Sequence, residues 1–110
     1  MSGRAPLGGR REVALACLLV GRLVLDATAS SGGLSLEQRR ARASGAKHWL
    51  GAAALPASVR AALTRLAEAT ATDDRRATKV FLDGVMSVTA SHLDPAARLE
   101  LARLAQAIAE

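Results

Sequence analysis

Apolar residues recur at helical spacing along most of this chain. Between Val59 and Thr70 they follow positions i, i+3, i+4 and i+7, and charged residues fill the opposite side. Few segments alternate with the two-residue period that a half-buried strand needs. Only Trp49 and Phe81 are aromatic, so alanine, leucine and valine must build the core. The pattern therefore predicts an all-α fold.

Helix-breaking residues divide the chain into about five short helices. The Ser-Ser-Gly-Gly sequence at 30–33 ends the first helix. Ser35 and Gln38 have the spacing of a capping box, which predicts the start of the second helix. The later helices are predicted to begin near Pro56, after Asp73 and Asp74, and at Asp94 followed by Pro95.

The short connections predict that these helices pack as one compact bundle. We expect a single domain over residues 9–110, preceded by a flexible tail at residues 1–8 that is rich in Gly, Pro and Ser. In the fourth helix, Gly84 is predicted to mark a close helix crossing. The buried stripe of that helix is predicted to contain Ala77, Phe81, Val85 and Val88.

The first helix is apolar on nearly every side, and no other helix is. A helix of this kind must be covered nearly all round. Two interpretations follow: the other four helices enclose it, or part of it faces another chain. On the second interpretation, the residues predicted to contact a partner or a second copy are Leu15, Leu18, Leu19 and Leu25.

A targeting segment is the other possible use of this apolar helix. Arg10 and Arg11 precede the apolar run, as basic residues precede the core of a signal peptide. However, Arg22 and Asp26 interrupt the run, and they have the spacing of an ion pair on one helix face. The run is also shorter than the ~20 apolar residues that span a bilayer. We therefore predict a globular helix that does not cross a membrane.

The chain is basic, with 15 Lys and Arg against 10 Asp and Glu. Residues 1–50 carry eight basic and three acidic groups, whereas residues 51–110 carry seven of each. The local cluster lies in the second helix, with Trp49 beside it, and its basic members are Arg39, Arg40, Arg42 and Lys47.

Three interpretations of this basic helix remain open. The cluster is a solvated face with Trp49 anchoring the helix to the bundle, or it contacts an acidic protein surface. Alternatively, its arginines bind phosphates while Trp49 stacks on a base. The chain contains no helix-turn-helix, zinc-finger or RNA-binding signature, which favours the first two interpretations.

Residues with catalytic or metal-binding chemistry are few: Cys17, His48 and His92. Neither histidine has a second ligand at i+3 or i+4, so no zinc site is predicted. The chain has no nucleophile elbow and no phosphate-binding glycine loop. Cys17 lies in an apolar run and is predicted to be a small buried side chain. An enzyme or metal protein using these three residues is the least favoured hypothesis, and no cofactor is predicted.

We therefore expect a non-catalytic helical-bundle protein that acts through protein–protein contacts, as an adaptor, a regulator or a small subunit of an assembly. Its partner, or a second copy, would bind the first helix. Nucleic-acid binding through the basic second helix is the alternative. Abundant Ala and Arg with only two lysines indicate a GC-rich genome, and we expect a bacterial protein. The single cysteine is consistent with the reducing cytoplasm.

Overall fold

The computed structural model describes residues 10–28, 33–72 and 74–109, and this part of the chain contains five α-helices. They are α1 (Arg10–Thr28), α2 (Leu36–Ala52), α3 (Ala57–Thr70), α4 (Arg75–Thr89) and α5 (Pro95–Ala109), with a 3₁₀ turn at Ala90–His92 after α4. No strand occurs in these ranges. The predicted all-α bundle is confirmed, and the tail predicted at residues 1–8 lies outside the described residues.

Side-chain caps set two of the helix starts. The backbone N–H of Gln38 donates to Ser35 Oγ at 3.1 Å, and the N–H of Ser35 donates to Gln38 Oε1 at 2.9 Å. This is the capping box that the spacing predicted. At α4, the Asp74 carboxylate accepts from the N–H of Ala77 at 2.9 Å. Asp73, the other predicted cap, is not among the described residues.

Arg60 joins the end of α2 to the start of α3. Its Nε donates to the carbonyl of Leu50 at 3.1 Å, and its Nη2 donates to the carbonyls of Ala53 and Leu55 at 2.8 and 3.3 Å. The last carbonyls of a helix have no partner within the helix. Arg60 supplies the partner for Leu50 and also binds the connection at Ala53 and Leu55, so it fixes how the chain turns from α2 into α3.

The centre of the bundle is α3, which packs most extensively on α4 and α2 and also contacts α1. Its predicted apolar stripe is buried, with Val59, Leu63, Leu66 and Ala67 all nearly inaccessible. The inner faces of the other four helices pack around these side chains. One continuous core results, and α1 and α5 lie next to each other at its edge.

The predicted stripe of α4 is partly wrong. Leu82 and Val85 are fully buried, but Phe81 is 36 % exposed. The buried arc continues instead through Thr78 and Thr89, whose hydroxyls donate to the carbonyls four residues earlier at 3.0 and 2.7 Å. A threonine whose hydroxyl bonds to its own helix can be buried at little cost. The predicted stripe counted only apolar residues. It therefore left out these two threonines and included Phe81.

The close helix crossing occurs at Gly21 rather than at Gly84. A Cβ on Gly84 would have no neighbour within 4 Å, so the predicted crossing there is wrong. A Cβ on Gly21 would lie 2.7 Å from Cδ2 of Leu104. The missing side chain therefore leaves space on α1 that the end of the Leu104 side chain of α5 occupies.

Candidate docking surface

The outer side of α1 carries four exposed leucines, which we call the leucine face. Their exposed fractions are 47 % for Leu15, 61 % for Leu18, 39 % for Leu19 and 40 % for Leu25. At 3.6 residues per turn these side chains fall within an arc of about 120°. Single exposed leucines are ordinary on protein surfaces, whereas four on one arc are not. Arg11, Arg22 and Asp26 fall on the same arc, so the leucine face alternates apolar and charged side chains.

The inner side of α1 belongs to the core. Val13, Val20, Leu23 and Val24 are buried, and α1 contacts α2, α3 and α5 from this side. The other helices thus cover α1 on its inner side and leave the leucine face uncovered. All four leucines predicted to contact a partner lie on this surface, and their role in binding stays a prediction.

A groove of about 380 Å³ runs between α1 and α5 beside the leucine face. Leu18 and Leu25 belong to both the groove and the leucine face, so the two surfaces are continuous. The groove, which we call the α1/α5 groove, is lined by Ala14, Cys17, Leu18, Gly21, Arg22, Leu25, Leu93, Ala96, Ala97, Glu100, Leu101 and Leu104. Its lining is apolar apart from Cys17, Arg22 and Glu100.

The two charged residues of the groove lie on opposite helices and have opposite signs. Arg22 on α1 has a side chain 74 % exposed, and its Nε lies 3.5 Å from Asp26 Oδ1. Glu100 on α5 has a side chain 62 % exposed and accepts from Arg103 Nη1 at 3.3 Å. Ion pairs this exposed are weak, so both side chains are available to a bound partner.

Cys17 lines the groove but is buried. Burial raises the pKa of its thiol to about 11, and a hydrogen bond with the Thr89 side chain offsets part of that rise. Cys17 is therefore protonated at neutral pH and has little of the thiolate that a nucleophile or a metal ligand requires. This agrees with the prediction that Cys17 packs as a small buried side chain.

Three of the four basic residues predicted to bind a partner are engaged within the chain. Arg42 Nη1 lies 2.7 Å from Asp26 Oδ2 on α1, and Lys47 Nζ lies 3.3 Å from Glu68 Oε2 on α3. Arg39 donates from Nε to the carbonyl of Leu34 at 3.1 Å and from Nη1 to the carbonyl of Thr72 at 3.2 Å. These contacts tie α2 to its neighbours.

Arg40 differs from the other three, since it is exposed and forms no ion pair within the described residues. Trp49 is 37 % exposed. It lies seven residues after Arg42 and so on the same face of α2, from which Arg42 reaches Asp26 of α1. A phosphate-binding track needs several cations free to contact the backbone of a nucleic acid. The internal pairs of Arg42 and Lys47 weaken that alternative.

Asp26 receives two arginines at the end of α1. The hydrogen bond from Arg42 lowers the pKa of this carboxyl below its usual value, and the nearby charge of Arg22 lowers it further. Asp26 therefore stays ionised at neutral pH. The ion pair that the sequence predicted between Arg22 and Asp26 is present, and Arg42 from α2 joins it.

The residues of the enzyme or metal hypothesis lie on three separate elements. Cys17 is on α1, the exposed His48 is on α2, and the half-buried His92 ends the 3₁₀ turn. No group of three His, Cys, Asp or Glu residues in the described ranges is arranged to hold a metal ion. In those same ranges, each helix is too short or too polar to be a candidate membrane span.

The α5 side of the groove was missed by sequence reasoning, which named Leu18 and Leu25 but not Leu101, Leu104 or Glu100. Helical periodicity does not tell which helix lies beside α1. Gly21 was the one available signal, because a glycine inside an apolar helix often marks a close approach.

Comparisons of this chain with protein-family models, with curated proteins and with solved structures gave no match. The candidate site is accordingly defined by its own geometry: an apolar helix face, a groove continuous with it, and one charge on each side of that groove.

Proposed function

We propose that this protein is non-catalytic and acts by docking another protein onto the leucine face and the α1/α5 groove, as an adaptor, a regulator or a subunit of an assembly. The observation that carries the proposal is the alignment of Leu15, Leu18, Leu19 and Leu25 on one surface, each between 39 and 61 % exposed. An apolar patch next to an apolar groove favours a protein ligand that presents apolar side chains of its own.

Burial of the four leucines alone does not offset the cost of association. Full burial of a leucine contributes roughly 1.5–3 kcal/mol, so covering the exposed half of each of four leucines contributes several kcal/mol in total. Association itself costs an estimated 4–15 kcal/mol in lost rotational and translational freedom. The leucine face must therefore act together with the groove, whose apolar lining adds further burial.

The basic second helix has a smaller part in this proposal. Arg42 and Lys47 form ion pairs with Asp26 and Glu68 within the chain. Arg40 remains to attract an acidic partner, and such exposed charges change association rates more than affinities. We therefore assign binding energy to α1 and α5, and only steering to α2.

We also propose that the protein works in a bacterial cytoplasm. Support comes from the composition typical of GC-rich genomes and from the buried, unpaired Cys17. A reduced thiol of this kind is usual where disulfides do not form.

Affinity purification with a matched pair of variants tests the docking proposal. Leu18→Glu places a charge on the leucine face, and Leu99→Glu places the same charge on an exposed leucine of α5 that does not line the groove. The tagged protein is expressed in a bacterium whose genome encodes it, and the co-purified chains are identified by mass spectrometry, an untagged copy of this chain included.

We expect an identified chain to be retained by the wild-type protein and by Leu99→Glu but lost with Leu18→Glu. Circular dichroism must show that both variants remain helical. If the retained chains are the same for all three proteins, the leucine face is not the docking surface and the proposal is wrong.

A further inference from the structure

The opposite charges of the groove make this surface complementary to itself. Arg22 projects from the α1 wall and Glu100 from the α5 wall, and the other lining residues apart from Cys17 are apolar. A two-fold axis parallel to the groove exchanges the two walls when a second copy is placed face to face on the first. The basic wall of each copy then meets the acidic wall of the other.

The shape of the surface fits the same symmetry. The leucine face and the α1/α5 groove are continuous, because Leu18 and Leu25 belong to both. In this arrangement α1 of each copy lies over α5 of the other, so Leu18 and Leu25 at the edge of the groove face the apolar lining of α5. A partner that lacked this arrangement would have to supply both features independently.

We infer that the occupant of the docking surface is a second copy of this chain, bound as a symmetric dimer in which Arg22 of each copy pairs with Glu100 of the other. This inference rests on the proposed docking function and names its partner. Within one chain, Arg22 has only its long contact with Asp26 and Glu100 only its exposed contact with Arg103 among the described ion pairs. Both can turn to the second copy at little cost.

The size of the surface sets the expected strength. A helix of 19 residues is about 28 Å long, and two helices at 8–10 Å spacing present a width of roughly 18 Å, or about 500 Å² in projection. A standard stable interface buries about 800 Å² of accessible surface on each partner. The projected surface is no larger than a standard interface, so the dimer is expected to be weak and to be populated mainly at high protein concentration.

Charge reversal at the two groove positions tests this inference. Arg22→Glu creates two repulsive contacts in a symmetric dimer, and so does Glu100→Arg. An equimolar mixture of the two variants restores attraction at both contacts, because Glu at position 22 of one chain meets Arg at position 100 of the other. Analytical ultracentrifugation from micromolar to millimolar protein measures association, and native mass spectrometry separates the mixed dimer from the two homodimers by mass.

The wild-type chain and the control Leu99→Glu are expected to dimerise alike. Each charge reversal alone is expected to weaken dimerisation by more than about tenfold, and the mixture is expected to recover most of the wild-type affinity as mixed dimer. Both variants are expected to fold, because the substituted side chains are exposed. Circular dichroism checks that they remain helical.

Three results would overturn the inference: a wild-type chain that is monomeric at every concentration, variants that dimerise like the wild type, or a mixture no stronger than its components. The affinity purification separates these failures from a failure of the proposed function. If a different identified protein is lost with Leu18→Glu, the docking surface is real and only the second copy is wrong. If neither experiment detects binding, both proposals fail.

Discussion

Leu18 and Leu23 lie less than two turns apart on the same helix, yet Leu18 is 61 % exposed and Leu23 is 2 % exposed. The inner face of α1, which holds Leu23, is built mostly from Val, Ala and Cys, whereas the outer face carries leucines together with Arg22 and Asp26. Small side chains let neighbouring helices approach closely, as Gly21 does at α5. The bulkier leucines remain on the side that the described helices leave partly exposed.

The comparison explains why hydropathy alone could not separate core from surface on α1. Both faces are apolar, so the amphipathic contrast that orients α3 is weak here. Side-chain size carries the missing information. If this account is correct, the two faces respond very differently to the same substitution.

Truncation of the two leucines should give the largest difference. Leu23→Ala removes buried methyl groups and leaves a cavity, so we expect it to lower the free energy of unfolding by about 2–5 kcal/mol. Leu18→Ala should change that free energy by less than about 0.5 kcal/mol. Urea unfolding followed by circular dichroism measures both at low protein concentration, and equal losses would show that the leucine face is core.

The reactivity of Cys17 should distinguish the inner side of α1 from a solvent-exposed site. Its pKa of about 11, against 9.0 for a solvated thiol, reduces the thiolate fraction at pH 8 by roughly 100-fold. We expect alkylation by iodoacetamide to be slower than in the urea-unfolded chain by at least that factor. Similar rates in the folded and unfolded chain would place Cys17 on an open surface.

Glycine substitutions should affect stability differently at the α1/α5 contact and on an open surface. At Gly45 an added Cβ has no neighbour within 4 Å, so Gly45→Ala should stabilise the protein by about 0.5–1 kcal/mol. Gly21→Ala should give no such gain, because Leu104 must move to admit the methyl group. Thermal unfolding measures both, and equal stabilisation would contradict the close α1/α5 crossing.

The smallest expected effect concerns acid stability at the end of α1. Because the pKa of Asp26 is lowered in the folded chain, its ion pairs stabilise the protein above the usual pKa of an aspartate and are lost as pH falls through the lowered value. Asp26→Asn should therefore be slightly less stable at neutral pH and lose less stability on acidification. Unfolding curves at several pH values between neutral and strongly acidic conditions test this. A parallel decline for both proteins would mean that Asp26 contributes nothing.

The helices themselves were predictable, because their caps and breakers act locally. Ser35, Asp74 and Pro95 set their helix starts without help from the rest of the chain. The stripe of α4 was harder, because Thr78 and Thr89 are buried only after their hydroxyls bond to their own helix. Arg60, which lies on the predicted polar side of α3, caps α2 through a contact that periodicity cannot indicate.

The candidate site was predictable only in part for the same reason. Leu15 and its three companions were named from the excess of apolar residues on α1. The groove forms only because α5 packs beside α1, and the sequence pattern does not indicate which helices are neighbours. The basic cluster of α2 was visible as charge, but its engagement by Asp26 and Glu68 depends on how three helices pack.

The free energy of unfolding of Leu19→Glu distinguishes a leucine face that is exposed in the folded chain from one that belongs to the core. Leu19 is the least exposed of the four leucines, at 39 %, so it is the most demanding position. We predict a helical, monomeric protein that loses roughly 2 kcal/mol or less relative to wild type at the same dilute concentration, because Leu19 is partly packed. Global unfolding of this variant would contradict the account, because it would show that the outer leucines belong to the core.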